Sequence, residues 1–268
     1  MGRDTRPTAL RIALGIEYDG QPFAGWESQV GQPTVQSALE AALARVADHS
    51  VRVVCAGRTD AGVHATGQVA HFETCQDRPV RAWTLGTNSY LTGPVSVQWA
   101  KVLPPDFHAR FSARCRHYRY LMLNRPTRPG LLHGRVAWVR QRLDVGAMQQ
   151  AAEFLLGRHD FTSFRAAGCQ ASSPVRTIHA INVERHGEFV VVDVSANAFL
   201  QHMVRNLAGT LCAIGLGKKP VAWIEHLLEL RDRTQAGMTM SPEGLYLMGV
   251  DYPDEYRVPR VSPTPVLW

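Results

Sequence analysis

The feature that most constrains this chain is the order in which its hydrophobic period changes. Arg11 to Tyr18 opens with apolar-rich alternation, the two-residue period of a strand. Thr34 can then cap a helix from Val35 to about Ala47, because Val35, Leu39, Leu43 and Val46 recur at helical spacing. Val51 to Ala56 and Gly67 to Thr74 read as strands. Pro79 suits the first turn of a helix running toward Tyr90, and Val95 to Val102 closes the set as a strand. The resulting order, β-α-β-β-α-β, is that of a split, ferredoxin-like unit.

The order returns loosely further on. His117 to Leu123 reads as a strand, and Asp144 can cap a helix to Leu156. Val175 to Val183 and Phe189 to Ser195 form a hairpin around His186-Gly187. Helices follow from about Leu200 to Ile214 and from Pro220 to Leu230, then a strand from Leu245 to Val250. No residues match between the halves, so the repeat is one of topology alone. The predicted fold class is α+β: two ferredoxin-like domains with mostly antiparallel sheets and a basic cleft between them. The boundary is expected near Leu103-Pro104-Pro105. This gives an N-terminal tail over 1–9, a first domain over 10–104, a second over 105–255 and a C-terminal tail over 256–268.

Composition removes several classes of protein. An apolar fraction of 45% in 268 residues argues for a packed core and against wholesale disorder. The five cysteines (Cys55, Cys75, Cys115, Cys169, Cys212) are scattered without a C-x-x-C pair, which speaks against a disulfide framework or a zinc knuckle. They read as reduced, mostly buried thiols. The N-terminus lacks the apolar core of a signal peptide, and no apolar stretch approaches the roughly 20 residues of a membrane span. A soluble, cytoplasmic protein with no membrane association is expected.

Charge is distributed unevenly. Lys+Arg number 29 against 23 Asp+Glu. From Phe107 through Leu143 there is no acid and no lysine, yet there are nine arginines: Arg110, Arg114, Arg116, Arg119, Arg125, Arg128, Arg135, Arg140 and Arg142. Guanidinium groups grip phosphate at two points and stack on bases, so such a stretch suits a nucleic-acid partner better than a merely solvated face does.

Between the second and third predicted strands lies Gly57-Arg58-Thr59-Asp60-Ala61-Gly62-Val63-His64. Glycines flank an arginine, an aspartate and a histidine on one short connection at the end of a sheet, where sites tend to form. The plain structural alternative is an aspartate capping its own turn.

With Ala56, this segment resembles the catalytic-loop motif of the tRNA pseudouridine synthase A family. The resemblance continues in order through Leu14-Gly15-Ile16-Glu17-Tyr18-Asp19-Gly20, Asp106-Phe107-His108-Ala109-Arg110-Phe111-Ser112-Ala113 and Arg116-His117-Tyr118-Arg119-Tyr120. It resumes at Asp160-Phe161-Thr162-Ser163-Phe164-Arg165, Asn197-Ala198-Phe199-Leu200-Gln201-His202-Met203-Val204-Arg205-Asn206 and Glu243-Gly244-Leu245-Tyr246-Leu247.

The resemblance implies an isomerase that converts uridine to pseudouridine at positions 38, 39 and 40 of the tRNA anticodon arm, with no metal and no cofactor. It also implies a homodimer. A base inside a stem must be flipped out to be reached. By the resemblance, Arg58 enters the stack in its place and Asp60 begins the reaction. Tyr118 stacks on the flipped uracil and serves the last proton transfer, and Leu245 forms the apolar floor. Arg205 is implied as the cation beside Asp60, because a nearby positive charge offsets the cost of holding a carboxylate ionised away from water. The bare residues allow blander readings: Arg58 paired with a neighbouring acid, Arg205 reaching solvent past an apolar stripe of Leu200, Met203, Val204, Leu207, Leu211 and Ile214, and Tyr118, Tyr120 and Leu245 as core. His64 and His202 could touch RNA phosphate or bond locally. Two rival functions stand beside the main one: a non-catalytic RNA-binding protein with RRM-like domains, which lacks that module's aromatic signature, and a zinc deaminase suggested by His71-Phe72-Glu73, which lacks a partnering P-C-x-x-C.

Overall fold

A computed structural model describes residues 9–260. The expected tail over 1–9 and most of the tail over 256–268 therefore lie outside the described residues. The chain divides into two compact units. One holds the residues through Ala61, Ala65–Arg114 and those from Gly249 on. The other holds Gly62–His64 and Cys115–Met248. The first unit thus extends past Leu103-Pro104-Pro105 and takes in the end of the described chain.

The first unit contains β1 (Leu10–Tyr18), α1 (Val35–Ala47), β2 (Val54–Cys55), β3 (His64–Thr74), α2 (Thr87–Tyr90) and β4 (Val95–Leu103). β4, β1 and β3 lie side by side and antiparallel, with β2 on β3. Helix α1 begins where the sequence predicts. The Thr34 hydroxyl accepts from the Ser37 backbone N–H, and the Ser37 hydroxyl accepts from that of Thr34, which satisfies two helix-end donors at once. Its buried positions, Val35, Leu39, Ala42, Leu43 and Ala47, turn one stripe inward.

One expectation is corrected in this unit. Val51 to Ala56 is predicted as a strand, but pairing starts only at Val54. Side chains of α1 take the preceding backbone groups: the Val53 N–H donates to Glu40 Oε1 at 2.9 Å, and the Val53 carbonyl accepts from Gln36 Nε2 at 3.2 Å. The helix expected from Pro79 toward Tyr90 is present: helical residues run without a break from 80 to 90, wider-wound over Ala82–Gly86 and ending in α2. The end of the described chain joins this unit through its core. Tyr252 packs with Ala13, Ala56, Val69, Leu103, Phe107 and Ala109, and its hydroxyl donates to the Ala109 carbonyl at 2.7 Å.

The second unit contains β5 (Cys115–Asn124), β6 (Ala137–Val139), α3 (Val145–Glu153), β7 (Gly157–Asp160), β8 (Val175–His186), β9 (Phe189–Ala196), α4 (Met203–Gly215), α5 (Trp223–Leu230) and the start of β10 (Leu245–Asp251), whose last three residues belong to the first. The sheet order is β10-β5-β9-β8-β7, with β6 parallel to β5. Leaving aside β6 and β7, the order of the four main strands (last, first, third, second) is the one found in the first unit. Each unit is ferredoxin-like, and the α+β class with mostly antiparallel strands holds. β6 and β7 are too short to show a period and are not in the sequence reading. Helix α3 starts at Asp144 as expected, whose carboxylate accepts from the Ala147 N–H at 3.0 Å, but it ends at Glu153 rather than Leu156.

The five cysteines are free; Cys55, Cys169 and Cys212 are buried, Cys115 is half-buried and Cys75 is exposed. Burial pushes the Cys55 thiol up to about 12 and that of Cys212 up to about 11, so both stay protonated and act as small apolar groups. No helix among the described residues is long and apolar enough to cross a membrane.

Candidate active site

The loop bearing Asp60 leaves β2 and is tied down from behind by buried polar side chains. The hydroxyls of Tyr18 and Thr59 lie 2.8 Å apart, and Gln68 Nε2 donates to the Gly57 carbonyl at 2.7 Å. Thr59 and Gln68 are buried, so each of these bonds is expensive to break. From the other side the Trp26 N–H donates to the Thr59 carbonyl at 3.0 Å. The preceding residue has to be glycine. Gly25 has φ +101, and a Cβ there would lie 2.8 Å from the Thr59 carbonyl oxygen and 3.1 Å from the Ala61 nitrogen. The loop is therefore clamped at Gly57 and Thr59 with half-buried Asp60 immediately beyond. The backbone on either side of Arg58 is thereby fixed, which sets where the Asp60 carboxylate can lie.

Arg58 points out of this clamp. Its side chain is 63% exposed and forms a two-point ion pair with Glu27, Nε to Oε2 at 2.8 Å and Nη2 to Oε1 at 3.0 Å. Glu27 is absent from the sequence reading. The two residues are 31 apart, and only the Gly25–Trp26 contact with the loop brings them together. Within the nine-arginine stretch, Phe111 is 76% exposed; His108 stacks on its ring at 4.3 Å between centroids, and the Arg110 guanidinium lies over it at 5.6 Å. An exposed aromatic ring beside a guanidinium and an imidazole is the kind of surface on which bases stack.

The remaining candidates lie in the second unit. Tyr118, on β5, is buried and meets Phe199 edge-on at 5.0 Å. Tyr120 shares its face, as the sequence predicts, but is fully buried with its hydroxyl donating to the Ser241 carbonyl at 2.7 Å. Burial pushes Tyr120 well above the ordinary tyrosine range, the Ser241 bond and the Arg205 charge opposing it. Tyr120 is thereby a core residue. Leu245 is buried at the head of β10, after the short turn Pro242–Gly244. A Cβ on Gly244 would lie 2.7 Å from the Leu121 carbonyl oxygen, so this turn is pressed flat against β5.

Arg205 is half-buried in the first turn of α4. Its Nε donates to the Met240 carbonyl at 2.8 Å, and the Met240 N–H donates back to the Arg205 carbonyl at 3.2 Å. The face of α4 that carries Asn206 and Gly209 is covered. Asn206 is buried: its Oδ1 accepts from Thr239 Oγ1 at 2.6 Å and Arg233 Nη2 at 3.0 Å, and its Nδ2 donates to the Phe164 carbonyl at 2.8 Å. A Cβ on Gly209 would sit 1.8 Å from the Met238 carbonyl oxygen. Residues 233–240 thus lie tight on α4 and hold Arg205 in place. A glycine inside a helix costs about 1 kcal/mol, and it is the signal that could have revealed this approach.

Of the two readings left open for His64, the local one fits: it is buried, with Nε2 3.1 Å from the Gly134 carbonyl oxygen and its ring stacked on Tyr246 at 4.6 Å. The arginine stretch is only partly exposed. Arg116 is buried and donates to the Asn197 carbonyl, Arg119 pairs with Asp193 across the β5–β9 ladder at 2.7 Å, and Arg125 pairs with Glu188 at 3.0 Å. Arg110, Arg114, Arg128, Arg135, Arg140 and Arg142 are exposed. His202 is half-buried in the left-handed region, φ 62, at the start of α4.

A carboxylate on a loop held by its backbone, and a set of exposed arginines, are features that an enzyme working on nucleic acid can use. Comparison with known proteins names the class. The family model described as tRNA pseudouridine synthase matches residues 15–112 and 151–253. A Pseudoalteromonas atlantica protein named tRNA pseudouridine synthase A is 55% identical over 257 residues, covering 96% of this chain and 98% of its own. Proteins of the same name from Pseudomonas aeruginosa and Nitrosococcus oceani are 54% and 53% identical; the matches cover 93% and 97% of this chain and 88% and 100% of theirs. The chain belongs to the tRNA pseudouridine synthase family, a family of isomerases.

Proposed function

We propose that this protein isomerises uridine to pseudouridine in tRNA, at positions 38, 39 and 40 of the anticodon arm, with Asp60 as the catalytic carboxylate. The observation that supports this reading most is the clamp on the Asp60 loop. Its backbone is fixed at Gly57 and Thr59 by buried partners, while Asp60 and Arg58 are left outside those bonds. A turn that served only to join two strands would need neither the Thr59–Tyr18 pair nor a glycine at position 25.

In this reading the target nucleotide is flipped out of the stem, at a cost of a few kcal/mol. Arg58 fills the vacated place, its planar guanidinium stacking on bases and binding phosphate. Tyr118 stacks on the uracil and accepts the role of proton acceptor at C5, Leu245 lies under the base, and Arg205 is the cation that favours the charged form of the catalytic carboxylate. The bond between N1 and C1′ breaks, the base turns, C5 bonds to C1′ as its proton leaves, and N1 takes up a proton; atoms and charge balance without a redox partner. Three first steps are open to Asp60: attack at C1′, addition at C6 or removal of a ribose proton. The exposed arginines and the Phe111 face support an RNA partner of this size. A homodimer in the cytoplasm is part of the same proposal.

Transcribed tRNA tritiated at uracil C5 tests it. Isomerisation releases the tritium to water, whereas deamination and simple binding do not. Release by the unsubstituted protein, lost in Asp60→Asn with RNA affinity retained, is the expected result. Parallel loss of affinity and activity would favour the non-catalytic RNA-binding alternative.

A further inference from the structure

We propose that Glu27 is the resting partner of Arg58: a positioning residue that holds the guanidinium at the side of the loop until RNA displaces it. The inference rests on the role given above to Arg58. It is carried by the geometry of the pair and by what surrounds each partner.

The carboxylate belongs to the same frame as the loop. Trp26 donates to the Thr59 carbonyl at 3.0 Å, its own carbonyl accepts from the Gln36 N–H at 3.0 Å, and the Ser28 N–H donates to Gln36 Oε1 at 3.1 Å. Gln36 is buried, so the segment on either side of Glu27 is fixed. Glu27 accordingly meets Arg58 from a set position and orients both Nε and Nη2.

The pair is nevertheless built to open. The side chains are 63% and 37% exposed, so solvent screens the attraction and a phosphate can compete for the same guanidinium. Opening leaves no lone charge behind. Arg52, 67% exposed, has Nη2 3.8 Å from Glu27 Oε1, and so remains as a counter-ion when Arg58 departs. Moving Arg58 does not loosen the loop either, because the clamp holds the backbone of Gly57 and Thr59 and the side chain of Thr59. The loop stays rigid while one long side chain exchanges a carboxylate for RNA.

RNA docking must then include the cost of breaking the pair, and removing the carboxylate lowers that cost. An anticodon-arm RNA is titrated against protein carrying Asp60→Asn, so that no turnover occurs, with and without Glu27→Gln, in the Arg58 and Arg58→Ala backgrounds. The expected result is affinity tightened by Glu27→Gln up to about fivefold at low salt when Arg58 is present, and no gain when Arg58 is alanine. An equal gain in both backgrounds would reduce Glu27 to a general repulsive charge. No gain, or a loss, with Arg58 present would show that the carboxylate does not compete with RNA. Each of these overturns the proposal. A structural defect at Glu27 would weaken RNA binding, not tighten it. Failure of the isomerase reading appears separately, as absence of tritium release by the unsubstituted protein.

Discussion

The connection between the second and third main strands is made twice in this molecule, with opposite outcomes. In the first unit it runs from β2 to β3 and carries Arg58 and Asp60 on a loop clamped by Tyr18, Gln68 and the Gly25–Trp26 segment. In the second it runs from β8 to β9 and is a tight hairpin, with Gly187 at φ +60 and open space around it. The topology is shared; the chemistry is not. A ferredoxin-like unit supplies strand ends, and a function arises only where buried groups are invested in fixing a loop at one of them. The residues proposed for the site in the second unit come from other places: from β5, from the first turn of α4 and from the head of β10.

Four perturbations would break or sharpen this contrast. The largest effect is expected from Gly25→Ala. Its Cβ would meet the Thr59 carbonyl at 2.8 Å on a backbone with φ +101, displacing the loop and adding about 1–3 kcal/mol of strain. Turnover should fall about a hundredfold, since small misplacements of a catalytic group are costly. Retained turnover would mean that the clamp does not position Asp60. Next is Asn206→Ala, which strips partners from Thr239, Arg233 and the Phe164 carbonyl. A loss of about 2–4 kcal/mol in denaturant unfolding is expected, because buried groups are left unpaired.

Acid should act on the first unit through His71. Burial, then the neighbouring His108 and Arg11 charges, lower it from 6.5 to about 4, and its Nδ1 accepts from the Ala109 N–H at 3.1 Å. The folded state therefore binds fewer protons than the unfolded state between those values. This contribution is complete above pH 6.5 and is lost as pH falls toward 4. Hydrogen exchange should show β1 and β3 losing protection across that window, and His71→Asn should remove the effect. The smallest change is expected from Gly187→Ala. With nothing near its Cβ, only the positive φ matters, and a loss of about 1 kcal/mol without change in turnover should follow. A drop in turnover there would contradict the division of labour between the two connections.

The sequence makes some of this visible, and the reasons are local. Helix α1 is predicted at its true ends because Thr34 caps it and its apolar spacing is regular. β2 is misjudged because Glu40 and Gln36 reach across from α1 to take backbone groups of Val53, a tertiary event with no trace in periodicity. Asp60 stands out because glycines and an arginine crowd it within a few positions. Glu27 does not, since its partner is distant in the chain. The arginine stretch is read too generously: Arg116, Arg119 and Arg125 serve the fold, and composition cannot separate them from the exposed ones. The burial of Asn206 under residues 233–240 has no trace in periodicity and is betrayed only by Gly209.

The central claim is that Asp60, on the clamped loop, initiates uridine isomerisation. Tritium release from tRNA labelled at uracil C5 tests it most directly, with unsubstituted protein and Asp60→Asn compared at equal RNA occupancy. The account predicts release by the first and a fall of more than about a thousandfold in the second. Comparable release by both, at matched occupancy, would contradict it.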